Sequence, residues 1–280
     1  MKVSLEIKRD DLLHPLISGN KWRKLKHLLL AIEEQGSRSV AVMGGRYSNL
    51  LHTVSYIGYL LGWKVKLYVR GYPEQPLTPM LKDALRWGAT IHLVDRQAFR
   101  ELREAPPKLE EESFWIPEGG FDRLAVKGTI ESLMEVPKSY DYIVIASATG
   151  TSMAGYIQAT RYMKLQTKVL GVAVLKNDDE IEQHLNQLLA QEEAGYHLLE
   201  KHWQDSHRVI KGYEFGGYAK STSELDGFIE KFEAQYHIPL ERVYSGKSFF
   251  ATIDLIEGGY FEAGSRILLI HCGGLQGLRQ

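Results

Sequence analysis

Tyr140-Asp141-Tyr142-Ile143-Val144-Ile145-Ala146-Ser147-Ala148-Thr149-Gly150-Thr151-Ser152-Met153-Ala154-Gly155 is the stretch whose reading decides the fold. Tyr142 to Ala146 is a short apolar run rich in β-branched residues, the pattern of a strand buried on both faces. It runs into small and hydroxylated residues and then a helical pattern. Small residues let the backbone approach a ligand, and the amides of a helix start with neighbouring hydroxyls suit a phosphate. The same order recurs where Val40-Ala41-Val42-Met43 leads into Gly44-Gly45-Arg46-Tyr47-Ser48-Asn49 and a helical pattern through Leu50, Val54, Ile57 and Leu61. A third buried run, Arg266 to His271, delivers Cys272-Gly273-Gly274 at its carboxyl end.

Working outward, apolar runs followed by helical patterns occur at Ser39–Met43, Lys64–Val69, Thr90–Val94, Tyr142–Ala146, Val169–Val174 and Ile267–Ile270. Short strands alternating with helices predict an α/β fold with parallel sheets and ligands at the carboxyl ends of the strands. Turn-rich segments at Arg70–Pro76 and Glu104–Pro107 punctuate the chain. Two lobes are expected: a smaller α/β lobe of residues 37–131 inserted into a larger one made of residues 1–36 and 132–280.

Composition narrows the function. With 280 residues and 44% hydrophobic content, the chain can build a large core. A net charge of −1 leaves no nucleic-acid or polyanion footprint. The longest apolar runs are far too short to span a bilayer, and Met1 to Glu6 lacks a signal-peptide core, so a soluble cytoplasmic protein without a membrane partner is expected. The single cysteine excludes an internal disulfide, and ten histidines without a His-x-x-x-His pair give no sign of a metal centre.

The candidate chemistry begins at Gly19-Asn20-Lys21-Trp22-Arg23-Lys24-Leu25-Lys26, where a polar turn passes into a helical pattern. The positive end of a helix favours the neutral form of a lysine at that position. A neutral amine attacks a carbonyl to form a Schiff base, and the carbonyl implied is that of pyridoxal phosphate. The residues alone leave a second reading open, a solvated basic face. Ser48 and Asn49 are open in the same way, between ligand contacts and simple capping of the helix they precede. For Thr149 to Ser152 the alternative is a dinucleotide pyrophosphate, against which the sequence offers no Gly-x-Gly-x-x-Gly. Gly246-Lys247-Ser248 invites a nucleotide-binding reading that fails, since Glu241 stands where that motif needs glycine.

Taken together and in this order, Gly-Asn-Lys, Gly-Gly-x-x-Ser-Asn, Thr-Gly-Thr-Ser-x-Ala-Gly, Tyr-Ser-Gly-Lys-Ser and His-Cys-Gly-Gly-x-x-Gly resemble the 1-aminocyclopropane-1-carboxylate deaminase/D-cysteine desulfhydrase family of fold-type II, tryptophan-synthase-β-like pyridoxal phosphate enzymes. The resemblance runs from Lys8 to Gly277 and is faint from Tyr72 to Gly128 and along an acidic helix expected from Asp178 to Glu200. It implies that Lys21 carries pyridoxal phosphate and that Lys24 neutralises its phosphate. Asn49 would bond the ring hydroxyl, and Thr149, Gly150, Thr151 and Ser152 would cradle the phosphate. Ser48, Tyr218 and Tyr244 would face a small amino-acid substrate, a tyrosine hydroxyl steering the substrate amine or acting as acid and base where Lys21 or the cofactor lowers its pKa. Cys272 would face the pyridine nitrogen, where a thiol leaves the ring largely neutral. Ser245 and Cys272 lie nearer the desulfhydrase pattern than the deaminase one, which implies β-elimination to pyruvate, ammonia and sulfide. Aminocyclopropane-carboxylate deamination and a pyridoxal phosphate-binding protein without turnover are the alternatives. Arg46 and Tyr47 depart from the family's usual pair and are expected to put bulk and a cation beside the substrate pocket. A homodimer is implied as well.

Overall fold

The computed structural model describes residues 2–17, 19–109, 112–176, 178–193 and 205–279. From the N-terminus the elements are β1 (Ser4–Arg9), α1 (Asn20–Glu34), β2 (Ser39–Gly45), α2 (Asn49–Leu61), β3 (Lys64–Arg70), α3 (Pro79–Arg86), β4 (Thr90–Val94), α4 (Arg96–Glu104), β5 (Ser113–Ile116) and α5 (Arg123–Met134). They continue with β6 (Tyr142–Ser147), α6 (Thr151–Tyr162), β7 (Lys168–Ala173), α7 (Asp178–Glu193), β8 (His207–Ile210), α8 (Ser223–Tyr236), α9 (Ser245–Glu257) and β9 (Arg266–His271). Residues 194–200 of the expected acidic helix lie outside the described residues.

The strands form two all-parallel sheets, ordered β1-β9-β6-β7-β8 and β4-β3-β2-β5. The two-residue period of a strand explains how the first sheet is covered. Ile143, Ile145, Leu268 and Ile270 point to one face, beneath α6 and α7; Val144, Leu170, Val172, Ile267 and Leu269 point to the other, beneath α8 and α9. A parallel sheet sandwiched this way must be apolar on both sides, which is why these runs are continuous rather than alternating. The second sheet shares a core with α1, α2 and α3, and Leu25, Leu28 and Ile32 of α1 are fully buried there.

Strand order fixes where a ligand can sit. In the first sheet the chain leaves β6 toward β7 while β9 lies on the other side of β6; in the second, β2 has β3 on one side and β5 on the other. Each arrangement opens a crevice at the strands' carboxyl ends. The β6 and β9 ends supply the Thr149 turn and Cys272, and the β2 and β5 ends supply Ser48-Asn49 and Glu118-Gly119.

Three strands escaped the sequence reading. β1 and β8 are sheet edges, and β5 is only four residues long. An edge strand is half exposed and lacks a continuous apolar run; in β1 only the alternation of Leu5 and Ile7 with polar residues marks it. Among the described residues no helix is long and apolar enough to cross a membrane, and no group of His, Cys, Asp or Glu side chains is placed to hold a metal ion.

The join between the N-terminal segment and β9 is the tightest point of the architecture. Gly19 has φ 63° and ψ −142°, a conformation nearly restricted to glycine, and a Cβ there would lie 1.8 Å from the Cys272 carbonyl oxygen. Gly36, past the end of α1, also has a positive φ but open space around it. Gly19→Ala is therefore expected to cost about 3 kcal/mol or more through combined strain and overlap. Gly36→Ala should cost about 1 kcal/mol, from conformation alone. Chemical denaturation of both variants measures the difference, and equal losses would show that the Gly19 contact is not restrictive.

Candidate active site

Because Gly19 lies against β9, the first turn of α1 is held at the carboxyl end of the first sheet. The Asn20 amide donates to the Cys272 carbonyl at 3.1 Å, and its side-chain amide donates to Ser152 Oγ at 3.1 Å. Lys21 Nζ donates to Asn20 Oδ1 at 2.5 Å. One asparagine thus ties the lysine to the glycine-threonine turn. Burial pulls the Lys21 amine below its ordinary pKa, opposed by electrostatic interaction with the nearby Cys272 and Glu241 side chains. Lys24, one turn on, is pulled well below its ordinary value by burial and by the Lys21 charge, and its amine donates to the Gly119 carbonyl at 2.7 Å.

The end of β2 forms the facing wall. Ser48 is the N-cap of α2, its hydroxyl accepting the Leu51 amide at 3.4 Å, and it also lines the cleft, so capping and ligand contact coexist. Asn49 is buried, and its Oδ1 has no hydrogen-bond partner in the structure. A buried amide oxygen left unpaired costs about 1–3 kcal/mol, so its position on a cleft wall marks it for a ligand. Ser147, at the end of β6, presents a second such group.

The turn after β6 is a cradle. Gly150 is the N-cap of α6 with φ 77°, and no side chain caps the helix's first amides. The Thr149 and Thr151 hydroxyls lie 3.1 Å apart beside them. Uncapped amides, a helix N-terminus and hydroxyls make a phosphate site without a cation in the loop.

Lys21, Lys24, Ser48, Asn49, Thr149, Gly150, Thr151, Ser152, Tyr218, Tyr244 and Cys272 all line one cavity of about 440 Å³. Two expectations change in the structure, the lowered tyrosine pKa and the Arg46 cation beside the pocket. Both tyrosines are pushed above their ordinary pKa, chiefly by burial, rather than lowered. They share a hydrogen bond, and Tyr218 Oη also accepts the Tyr47 amide at 3.0 Å. They therefore serve as neutral hydroxyls at neutral pH. Arg46 turns away from the cavity, its guanidinium donating to Gln75 Oε1 at 2.6 Å and to the Pro76 carbonyl. Tyr47 packs its ring edge on Tyr218, with centroids 6.4 Å apart, at the rim. Ser245 is buried beneath the site, where its hydroxyl is bonded to Glu241.

The sequence reading also missed residues. Glu241 is buried and accepts the amides of Val243, Tyr244 and Ser245 at 2.5, 2.8 and 2.6 Å, capping α9 and placing Tyr244. An acid just before a helical pattern is a capping signal that was available. Lys247, of the rejected nucleotide motif, donates to the carbonyls of Val174, Glu214 and Gly217 at 3.1, 2.7 and 2.9 Å. It lashes the loop that carries Tyr218 to α9. Glu118 reaches the cavity after β5, a strand too short to announce itself.

The chain matches the family described as pyridoxal-phosphate dependent enzymes over residues 2–273. A putative 1-aminocyclopropane-1-carboxylate deaminase of Pyrococcus horikoshii is 29% identical, covering 97% of this chain and 84% of the relative. The mitochondrial bifunctional D-cysteine desulfhydrase/1-aminocyclopropane-1-carboxylate deaminase of Arabidopsis thaliana is 30% identical, covering 98% and 73%. The crystal structure of an aminocyclopropane-carboxylate deaminase homologue superposes with a TM-score of 0.85 at 27% identity, over 98% of this chain and 86% of the other. The chain belongs to the pyridoxal-phosphate dependent enzymes and, within them, to the 1-aminocyclopropane-1-carboxylate deaminase/D-cysteine desulfhydrase family. Pyridoxal phosphate is its cofactor, and its chemistry is that of a lyase or deaminase.

The cavity fits that group: an uncapped helix start for the phosphate, an unpaired amide oxygen for a ring substituent and a buried amine for the aldehyde carbon. Borohydride reduction of the yellow protein, absorbing near roughly 410–420 nm, followed by peptide mapping is expected to find the label on Lys21. A label on Lys24 would overturn the assignment.

Proposed function

We propose that this enzyme carries out β-elimination on a small β-substituted amino acid of the D-cysteine type, releasing pyruvate, ammonia and sulfide. The observation that carries the reading is the Cys272 thiol at the end of β9. Burial, only partly opposed by Lys21, pushes it up to about 12, so it stays protonated at neutral pH. A neutral, weakly donating group there holds no proton on a pyridine nitrogen. Elimination needs less charge stabilisation than ring opening, because the leaving group departs with the electron pair.

Bound pyridoxal phosphate supplies the electron sink that acidifies the substrate Cα–H bond. The chain's own residues do the rest. Lys21 holds the cofactor and, with its amine favoured in the neutral form by burial, is the base for the Cα proton. The α6 start with Thr149, Thr151 and Ser152 binds the phosphate, with Lys24 on the Gly119 side of the same wall. Asn49 offers its free oxygen to the ring hydroxyl. Ser48, at the α2 N-terminus, meets the substrate carboxylate, which the helix dipole also favours. Tyr218 and Tyr244 orient the substrate as neutral hydroxyls. The strands divide between two sheets in keeping with lobes of residues 1–36 with 132–280, and 37–131. A homodimer is proposed from the family resemblance, and a cytoplasmic location from the sequence alone, unlike the mitochondrial Arabidopsis relative.

Aminocyclopropane-carboxylate ring opening is the second reading, favoured by the names of the Pyrococcus and Arabidopsis relatives. Pyruvate from D-cysteine is expected to form faster than 2-oxobutyrate from aminocyclopropane carboxylate in coupled dehydrogenase assays; the reverse order would sink the elimination reading. Ser48→Ala should keep the cofactor absorbance, lose most turnover and cost about 1 kcal/mol of stability from the lost cap. Unchanged turnover per folded molecule would reduce Ser48 to a cap alone.

A further inference from the structure

The cavity's outer wall carries more positive charge than the cofactor accounts for. Arg70, Arg96 and Arg100 all line it, and no carboxylate among the described residues pairs with any of them. The carboxylates of this wall are already engaged, since Arg103 binds Glu118 at 2.6 Å and lies 3.6 Å from Glu180. Arg96 and Arg100 are one turn apart on α4, so they share a face, with the ring of Phe99 buried beside them. Lys176 adds another cation to the lining.

Arg70 is the informative member. It ends β3 opposite Gly45, which ends β2, and Gly45 is where a Cβ would lie 2.8 Å from the Tyr218 hydroxyl. The guanidinium is held over two rings, 5.7 Å from the Phe99 centroid and 5.9 Å from that of Tyr218. It therefore projects over the Ser48–Tyr218 side of the cavity, away from the Thr149 cradle. Cation–π attraction at these distances biases the exposed guanidinium toward the two rings and leaves its fork of donors unspent. Unpaired like charges on one cleft wall repel each other, and together they concentrate anions. A merely solvated basic helix face would not include a strand-end arginine set within about 6 Å of two cavity-lining rings.

We infer that Arg70, with Arg96 and Arg100, receives a second anionic group on the substrate, so that the preferred amino acid carries an acidic side chain. The assignment rests on the proposed reading only in taking an amino acid as the occupant. The α-carboxylate meets the Ser48 end, and the side-chain anion meets the arginine arc. Arg46, the cation that the sequence reading put beside the substrate pocket, is bound to the Gln75–Pro76 loop instead.

Calorimetric titration of the holoenzyme with D- and L-aspartate against asparagine of the same hand isolates the charge, since the pairs are nearly isosteric. Aspartate of one hand is expected to bind about tenfold tighter or more, with the preference shrinking as salt rises. It should fall toward parity in Arg70→Gln and, as an independent test at exposed helix positions, in Arg96→Gln/Arg100→Gln. Equal affinity in the parent enzyme, no binding of either, or a preference that survives both variants overturns the inference. Loss of cofactor absorbance in the variants would also overturn it, by assigning the arginines to the cofactor phosphate. An intact aspartate preference in an enzyme that produces no pyruvate from D-cysteine would sink D-cysteine as the substrate and uphold this inference.

Discussion

The contact between Gly19 and the carbonyl of Cys272 sets the site. It holds the start of α1 against the end of β9 with no room for a side chain, and every reactive position then follows by short connections. Asn20 bonds both the Cys272 carbonyl and Ser152, so the lysine-bearing turn and the phosphate cradle are one hydrogen-bonded unit. Lys21 inherits its place from that unit, and Lys24 is carried one helical turn further, against Gly119 in the turn after β5. The apolar stripe of α1 anchors the same helix in the second core, so α1 spans both halves of the cleft.

Burial, more than the helix dipole, governs the electrostatics. A helix terminus contributes about 0.3–1 kcal/mol, less than the 1.36 kcal/mol of one pKa unit, whereas burial moves lysines by up to about 3–5 units. It is the largest cause for Lys21, Lys24, Tyr218, Tyr244 and Cys272 alike. The amines are biased toward neutral bases and the hydroxyls and thiol toward neutral donors. That combination suits proton removal from carbon by an amine, with the surrounding groups serving to orient. The arginines at the mouth stay exposed, so attraction of anions and proton chemistry are separated along the depth of one cavity.

Two buried ionisable residues hold the tyrosine pair without facing the ligand. Glu241 accepts three successive amides and turns the chain into α9 at Tyr244; Lys247 ties the Gly217 loop, and with it Tyr218, to the same helix. A buried charge is costly unless paired or hydrogen-bonded, and both are saturated by backbone groups. The Gly-Lys-Ser sequence that resembles a nucleotide loop is in fact a scaffold for the substrate wall.

The sequence by itself determined the parallel α/β class, because strands buried on both faces must be continuously apolar, and it identified the turns at the ends of β2, β6 and β9, because small residues before a helix leave amides free for a ligand. Those turns brought Ser48, Asn49 and Thr149–Ser152 forward as candidates and the Gly19–Asn20 turn brought Lys21, while the residues alone left Lys21, Ser48 and Asn49 open and the family resemblance supplied their roles. β5 was not legible, being four residues long, and Glu118 was hidden with it. Tertiary structure alone decided which charges meet. Arg46 follows β2 and Arg70 ends β3 with nothing local to rank them, yet the loop at Gln75 and Pro76 takes one and the other lies near the rings of Phe99 and Tyr218 at the cavity. Such choices depend on partners more than twenty residues away, and periodicity, capping and turn chemistry carry no information over that distance.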